Sequence, residues 1–207
     1  MKRVILVALA SLFVASSALA VVVPDDGENS FGVYFDVDGN MVNSVMLSSG
    51  LIDMYLVMAG VTAPTVAAWE VALDFDSSLA LITGAGIVGD GVNFATLPMY
   101  IVGLGTPLPP DGDGNFTLAV STFFLMVPDA VVDIFAGPAD PASIPGVPAY
   151  VNGEDLTDII PMVFSVDMDG QYVDDDGWTT VPIASVNGEG GVANESATWG
   201  SVKSLYR

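Results

Sequence analysis

The sequence predicts an all-β protein, an antiparallel β-sandwich of jelly-roll or related form closed by a short C-terminal helix. Three observations predict it. Large apolar residues alternate with small or polar ones over many short segments, the period of a strand with one face buried. Turn signals, Asp-Gly and Asn-Gly among them, recur roughly every 8–12 residues, the spacing of a sandwich. Helical spacing of apolar residues is absent until the last fourteen positions.

The clearest segment is 66–84, VAAWEVALDFDSSLALITG. Trp69, Val71, Leu73 and Phe75 are large, while Ala68, Glu70, Ala72 and Asp74 are small or charged. We read the first set as core and the second as a wetted outer face. Asp76-Ser77-Ser78 makes a turn, after which Leu79 and Leu81 resume the pattern. Upstream, 30–36 (SFGVYFD) forms a first strand, Asp38-Gly39-Asn40 a hairpin turn and 41–48 its partner. In 51–58, Ile52, Met54, Leu56 and Met58 share one face, with Asp53 and Tyr55 on the other. Downstream, 93–96 and 99–104 are short strands separated by Pro98, and 107–114 is a proline-bearing loop. The segment 115–127 (NFTLAVSTFFLMV) is the longest strand candidate; its doubly apolar second half places it inside a sheet. A strand over 130–136 is followed by a proline-rich loop, 138–148, without regular pairing. Short strands at 150–151, 159–166, 171–173 and 179–183 complete the body.

The ends differ from the body. Lys2-Arg3, an apolar run over 4–17 and Ala18-Leu19-Ala20 form the charged start, core and cleavage site of a secretory signal. The run approaches bilayer-spanning length, so an uncleaved anchor is the competing reading. No cysteine follows it, which excludes a lipoprotein anchor. The chain thus divides into a signal at 1–20, an acidic lead expected to be mobile at 21–29, and a sandwich domain at 30–185. A Gly-rich linker at 186–193 and a helix at 194–207 (NESATWGSVKSLYR) complete it. In that helix Trp199, Val202 and Tyr206 fall on one face, and Lys203 and Arg207 lie near its negative end. It either docks on the sandwich or serves as a tag for secretion or attachment. The protein is expected outside the cell or on its surface, the periplasm being the other compartment open to it.

Charge narrows the partners. Of 207 residues, 25 are acidic and four basic, and two of the basic ones lie in the signal. Removing 20 residues leaves 187, with only Lys203 and Arg207 against the acids. Such a field disfavours nucleic acid and anionic membranes, leaving proteins, polysaccharides, cations or self-assembly. Histidine and cysteine are both absent. That inventory excludes Ser-His-Asp hydrolases, thiol chemistry and Cys/His zinc sites.

At 66–84 the chain resembles the cohesin-like and carbohydrate-binding-like sandwich domains of bacterial extracellular proteins. Phe75-Asp76-Ser77-Ser78-Leu79 follows their aromatic-Asp-Pro turn leading to a leucine, with Ser77 in place of proline. Gly114-Asn115-Phe116 running into 118–124 is similar to a later strand of the same domains. The resemblance spans about residues 46–135 and implies a fold; it carries over no binding residue.

Four acidic turns recur, at Asp36-Val37-Asp38-Gly39, Asp111-Gly112-Asp113-Gly114, Asp167-Met168-Asp169-Gly170 and Asp174-Asp175-Asp176-Gly177. Each has hairpin chemistry, and each also offers oxygen ligands suited to Ca²⁺. Asp167, Asp169, Asp174 and Asp176 form the densest set and are the candidate Ca²⁺ ligands. Glu70 and Asp74 share a strand face, but their backbones lie roughly 13–14 Å apart, ill suited to a glycosidase carboxylate pair. Tyr172 and Trp178 are the candidate sugar-stacking rings. The expected function is a non-enzymatic, extracellular binding, adhesion or structural module stiffened by Ca²⁺. The alternatives are a carbohydrate-binding module and a carboxylate-based glycoside hydrolase.

Overall fold

The computed structural model describes residues 28–37, 39, 41–112, 114–166 and 172–188. These carry thirteen strands and no helix. In chain order they are β1 (Ser30–Tyr34), β2 (Asn43–Ser44), β3 (Gly50–Ala59), β4 (Val66–Asp74), β5 (Ala80–Ile87), β6 (Val92–Asn93) and β7 (Met99–Leu108). Then come β8 (Phe116–Leu125), β9 (Val132–Gly137), β10 (Ala149–Asn152), β11 (Ile159–Pro161), β12 (Val163–Phe164) and β13 (Ala184–Val186). The first sheet runs β12-β1-β3-β8-β5. The second runs β11-β10-β4-β9-β13-β2, with β7 on the other edge of β4 and β6 beyond β7.

Strand β4 anchors the second sheet and β8 the first. Trp69, Val71 and Leu73 of β4 point into the core, where they join Leu118, Phe123 and Leu125 of β8. Burying each such side chain contributes roughly 1.5–3 kcal/mol. Two specific contacts lock this layer. Tyr100 of β7 stacks on Trp69 with ring centroids 5.5 Å apart, and its hydroxyl lies 2.7 Å from Ser121 Oγ across the sandwich. Burial pushes the Tyr100 phenol up to about 12, although the Ser121 bond pulls the other way. Phe75 meets Phe123 edge-on at 5.3 Å, where the chain crosses from one sheet to the other. The interior position expected for 115–127 is met: β8 lies between β3 and β5.

Several local expectations are corrected. The turn after Phe35 closes, with Phe35 N–H donating to Met41 O, but the two flanking strands do not form a hairpin. β1 pairs with β3 in the first sheet, whereas β2 runs parallel to β13 in the second. β1 also runs parallel to β12, so the sandwich is antiparallel with two short parallel joints. Leu81 faces outward and Ala80 is buried, because the Asp76 turn shifts the phase by one residue. Asp76 sets that turn by accepting from Ser78 N–H and hydroxyl. Among the described residues, the segments expected at 171–173 and 179–183 contribute one bridge, Val173 to Thr179, and the pairing strand begins at Ala184. The signal at 1–20, most of the lead, and the helix at 194–207 lie outside the described residues. No helix among the described residues is long and apolar enough to cross a membrane.

Candidate functional site

The outer face of the second sheet is where the molecule departs from a plain sandwich. β9 and β10 lie on the same edge of β4: Gly137 is opposite Ala72 and Ala149 is opposite Glu70. The residues between them, 138–148, thus replace a single strand position opposite Val71. They form an excursion loop over the outer face. Five prolines, 138, 141, 145 and 148 with Pro161 beside them in β11, keep this region from extending the ladder.

The loop is fastened by the residue expected to be wetted. Glu70 is only 6% exposed, and Ser143 N–H and hydroxyl donate to its Oε1 and Oε2 at 2.5 and 2.9 Å. Both carboxylate oxygens are taken up by one loop residue, which satisfies a buried charge with charge-assisted bonds. Ala72 is buried as well. The outer face of β4 is therefore covered here, and small residues at even positions make room for the loop. Only Asp74, at the strand end, is exposed as expected.

On either side of the loop is a depression. The larger, about 780 Å³, is lined by Pro98, Met99, Pro138, Asp140, Pro141, Pro145, Asp176 and Trp178, among others. Its wall is built by close backbone contacts. The Trp178 indole lies against Gly137, where any Cβ would collide with the ring. Gly177, at φ +86°, abuts the carbonyl of Gly146, which no larger residue would permit. Thr179 ties this turn to β9, exchanging N–H and hydroxyl bonds with Ala136. Asp174 shapes the turn by accepting from Asp176 N–H and Trp178 N–H at 3.0 and 2.9 Å.

The smaller depression, about 110 Å³, lies between the loop and β10 and is bordered by Ala68, Trp69, Glu70, Ile101, Ser143, Val151 and Ile159. Trp69 contributes to this border from β4, while its side chain points to the opposite face, into the core. Beyond it an apolar row crosses five strands in register. Val92 is opposite Gly103, Gly103 opposite Ala68, Ala68 opposite Val151 and Val151 opposite Ile159. Four inter-strand steps make it roughly 19 Å long. Val92 and Ile159 are exposed, and Phe94, 74% exposed, lies over Gly103. Acidic groups flank the row: Asp90 at the β6 end, Glu154, Asp155 and Asp158 at the β10–β11 turn. Asp90 is held below the usual carboxylate value by Thr106, chiefly through its N–H and then its hydroxyl.

The predicted site residues are distributed unevenly. Asp176 and Trp178 share the larger cleft, whereas Tyr172, 39% exposed, does not line it. Asp167 and Asp169 lie outside the described residues. Among the described residues no three acidic side chains converge as a metal cage. Phe94, Ile101, Val92 and the Glu70–Ser143 fastening were not foreseen. Two signals for them were present: alanines on the outside of β4, and a proline-rich insert between two segments of strand character.

No family model matches the chain, and no curated protein does. Among solved structures, the chain is similar to a cohesin module from the family 33 glycoside hydrolase of Clostridium perfringens ATCC13124. That match has 8% identity and a TM-score of 0.45, covering 66% of this chain and 90% of that one. It is also similar to the sixth cohesin of scaffoldin B from Acetivibrio cellulolyticus, solved in complex with a dockerin. There the identity is 8% and the TM-score 0.43, with 66% and 94% covered.

Proposed function

We propose that this chain is an exported, non-enzymatic protein-binding module that works through the outer face of its second sheet. The observation that carries the reading is the register-aligned apolar row under Phe94, from Val92 to Ile159. Exposed apolar surface rimmed by polar groups is the usual mark of an interaction site. The partner is a protein with an apolar centre and a basic rim, matching the acids at both ends of the row. Supporting export is the charged, apolar and small-residue order of residues 1–20. The glycosidase alternative loses one of its two acids on this reading, since both oxygens of Glu70 are engaged by Ser143.

The test places a photo-reactive amino acid at position 94, and in a second protein at position 51, on living producer cells. Leu51 is also exposed but belongs to the first sheet. A discrete protein adduct from position 94 and none from position 51 supports the reading. Equal labelling from both, or adducts only from position 51, rejects it.

A further inference from the structure

All four basic side chains of this chain lie outside the described residues, at positions 2, 3, 203 and 207. The folded body presents carboxylates without a single lysine or arginine to pair them. Many of those carboxylates are engaged locally. Asp76, Asp155 and Asp174 bind N–H groups of their own turns, and Asp90 binds Thr106. Asp140 and Asp176 are different. Both are exposed, both line the 780 Å³ cleft, and neither carboxylate accepts a hydrogen bond among the described residues. The same cleft is lined by Trp178, Met99 and the prolines. Two carboxylates without a partner among the described residues, in a cleft with an aromatic face, suit a ligand with cations and apolar groups together.

The segment 194–207 has that composition: Lys203 and Arg207 alternate with Trp199, Val202, Leu205 and Tyr206. We infer that this C-terminal segment docks in the Trp178 cleft of its own chain, with Lys203 and Arg207 at Asp140 and Asp176. Reach agrees with this. Gly188 packs beside Val131, at the start of β9, while the cleft lies at the Gly137 end. The six residues of β9 span roughly 17 Å. The fifteen residues after Gly188, up to Lys203, are long enough to cover that distance, since a chain reaches up to about 3.3 Å per residue. A tether that spans the distance makes the contact intramolecular, favouring the same chain over a second copy. The docked segment would occupy the cleft that borders the excursion loop. A stronger cationic ligand would displace it.

Carbodiimide coupling tests the contact, because it joins an amine to a carboxylate only when they touch. In the purified full chain, Lys203 is expected to couple to Asp140 or Asp176, and high salt is expected to suppress the product at least fivefold. Mixing ¹⁴N and ¹⁵N protein should give links within one isotope only. The Asp140→Asn, Asp176→Asn double variant should lose the link while melting as the parent does. Hydrogen exchange over 138–146 and 174–178 should quicken severalfold in the Lys203→Glu, Arg207→Glu variant. Links scattered to Glu154, Asp155 or Asp158, links between isotopes, or exchange unchanged by the charge reversal would each overturn the inference. So would an oligosaccharide that fills the cleft equally in parent and reversed-charge proteins, since a docked segment must compete with it.

Discussion

The two sheets are built from the same alternating pattern and use their outer faces in opposite ways. On the first sheet, the outward positions are Leu51, Asp53, Tyr55 and Val57 of β3, Thr117, Val120, Thr122 and Phe124 of β8, and Leu81 and Thr83 of β5. They mix large apolar side chains with Asp53 and threonines, and Leu51, Asp53, Leu81 and Thr83 are exposed. On the second sheet, the outward positions are Ala68, Glu70 and Ala72 of β4, Ile101 and Gly103 of β7, and Ala149 and Val151 of β10. They are small or apolar, partly covered by the excursion loop and partly crossed by an open apolar row. Alternation reports which residues point inward; the size of the outward residues reports whether something lies on top. Alanine and glycine on a sheet exterior leave space for another backbone.

That contrast can be broken by mutation, and the largest effect should come from the shared core. Leu118→Ala empties a fully buried position between the sheets and should cost about 2–5 kcal/mol in chemical denaturation. Gly137→Ala comes next. Its methyl group meets the Trp178 ring, and overpacking of this kind costs about 1–3 kcal/mol while altering the cleft. Glu70→Ala frees Ser143 from both bonds. A loss of about 1.5–3 kcal/mol is expected, with faster hydrogen exchange centred on 138–148. The matching change on the first sheet, Asp53→Ala, should stay within about 0.5 kcal/mol. If the two acids cost the same, the distinction between the faces fails.

Proton titration gives two smaller effects. Burial pushes both Tyr34 and Tyr100 up to about 12 from 10.0, so their phenols stay neutral in the fold after an unfolded tyrosine has begun to ionise. The stability they confer is complete below about pH 10 and is lost as pH rises toward 12. Ultraviolet titration should therefore show late phenolate signals that appear together with unfolding. At the acid end, Asp90 lies below 3.8 because Thr106 donates to it, so its contribution is present above 3.8 and lost as pH falls through the lower folded value. Thr106→Val keeps the N–H and removes the hydroxyl; the Asp90 carboxyl carbon should then titrate closer to 3.8 in NMR.

Much of the sandwich was legible because burial on one side of a strand leaves a period of two. Trp69, Val71, Leu73, Leu56, Met58 and Leu118 are buried as that period requires. What escaped depended on long-range pairing. The parallel joint of β2 with β13 links residues about 140 apart, and nothing local encodes it. The wetted reading of Glu70 failed because its cover comes from Ser143, which is 73 residues away. Leu81 failed for a nearer reason, a turn that changes phase by one residue. Of the candidate site, Trp178 and Asp176 were legible as an aromatic beside an acidic turn. The apolar row was not, because each strand contributes only one or two residues to it.

The central claim is that the outer face of the second sheet does the binding. The direct measurement is the affinity of dye-labelled protein for producer cells lacking their own copy. Phe94→Asp with Ile159→Asp should weaken that binding at least tenfold, and Leu51→Asp with Leu81→Asp, on the first sheet, should leave it unchanged. Binding that survives the first pair of changes and falls with the second would contradict the account.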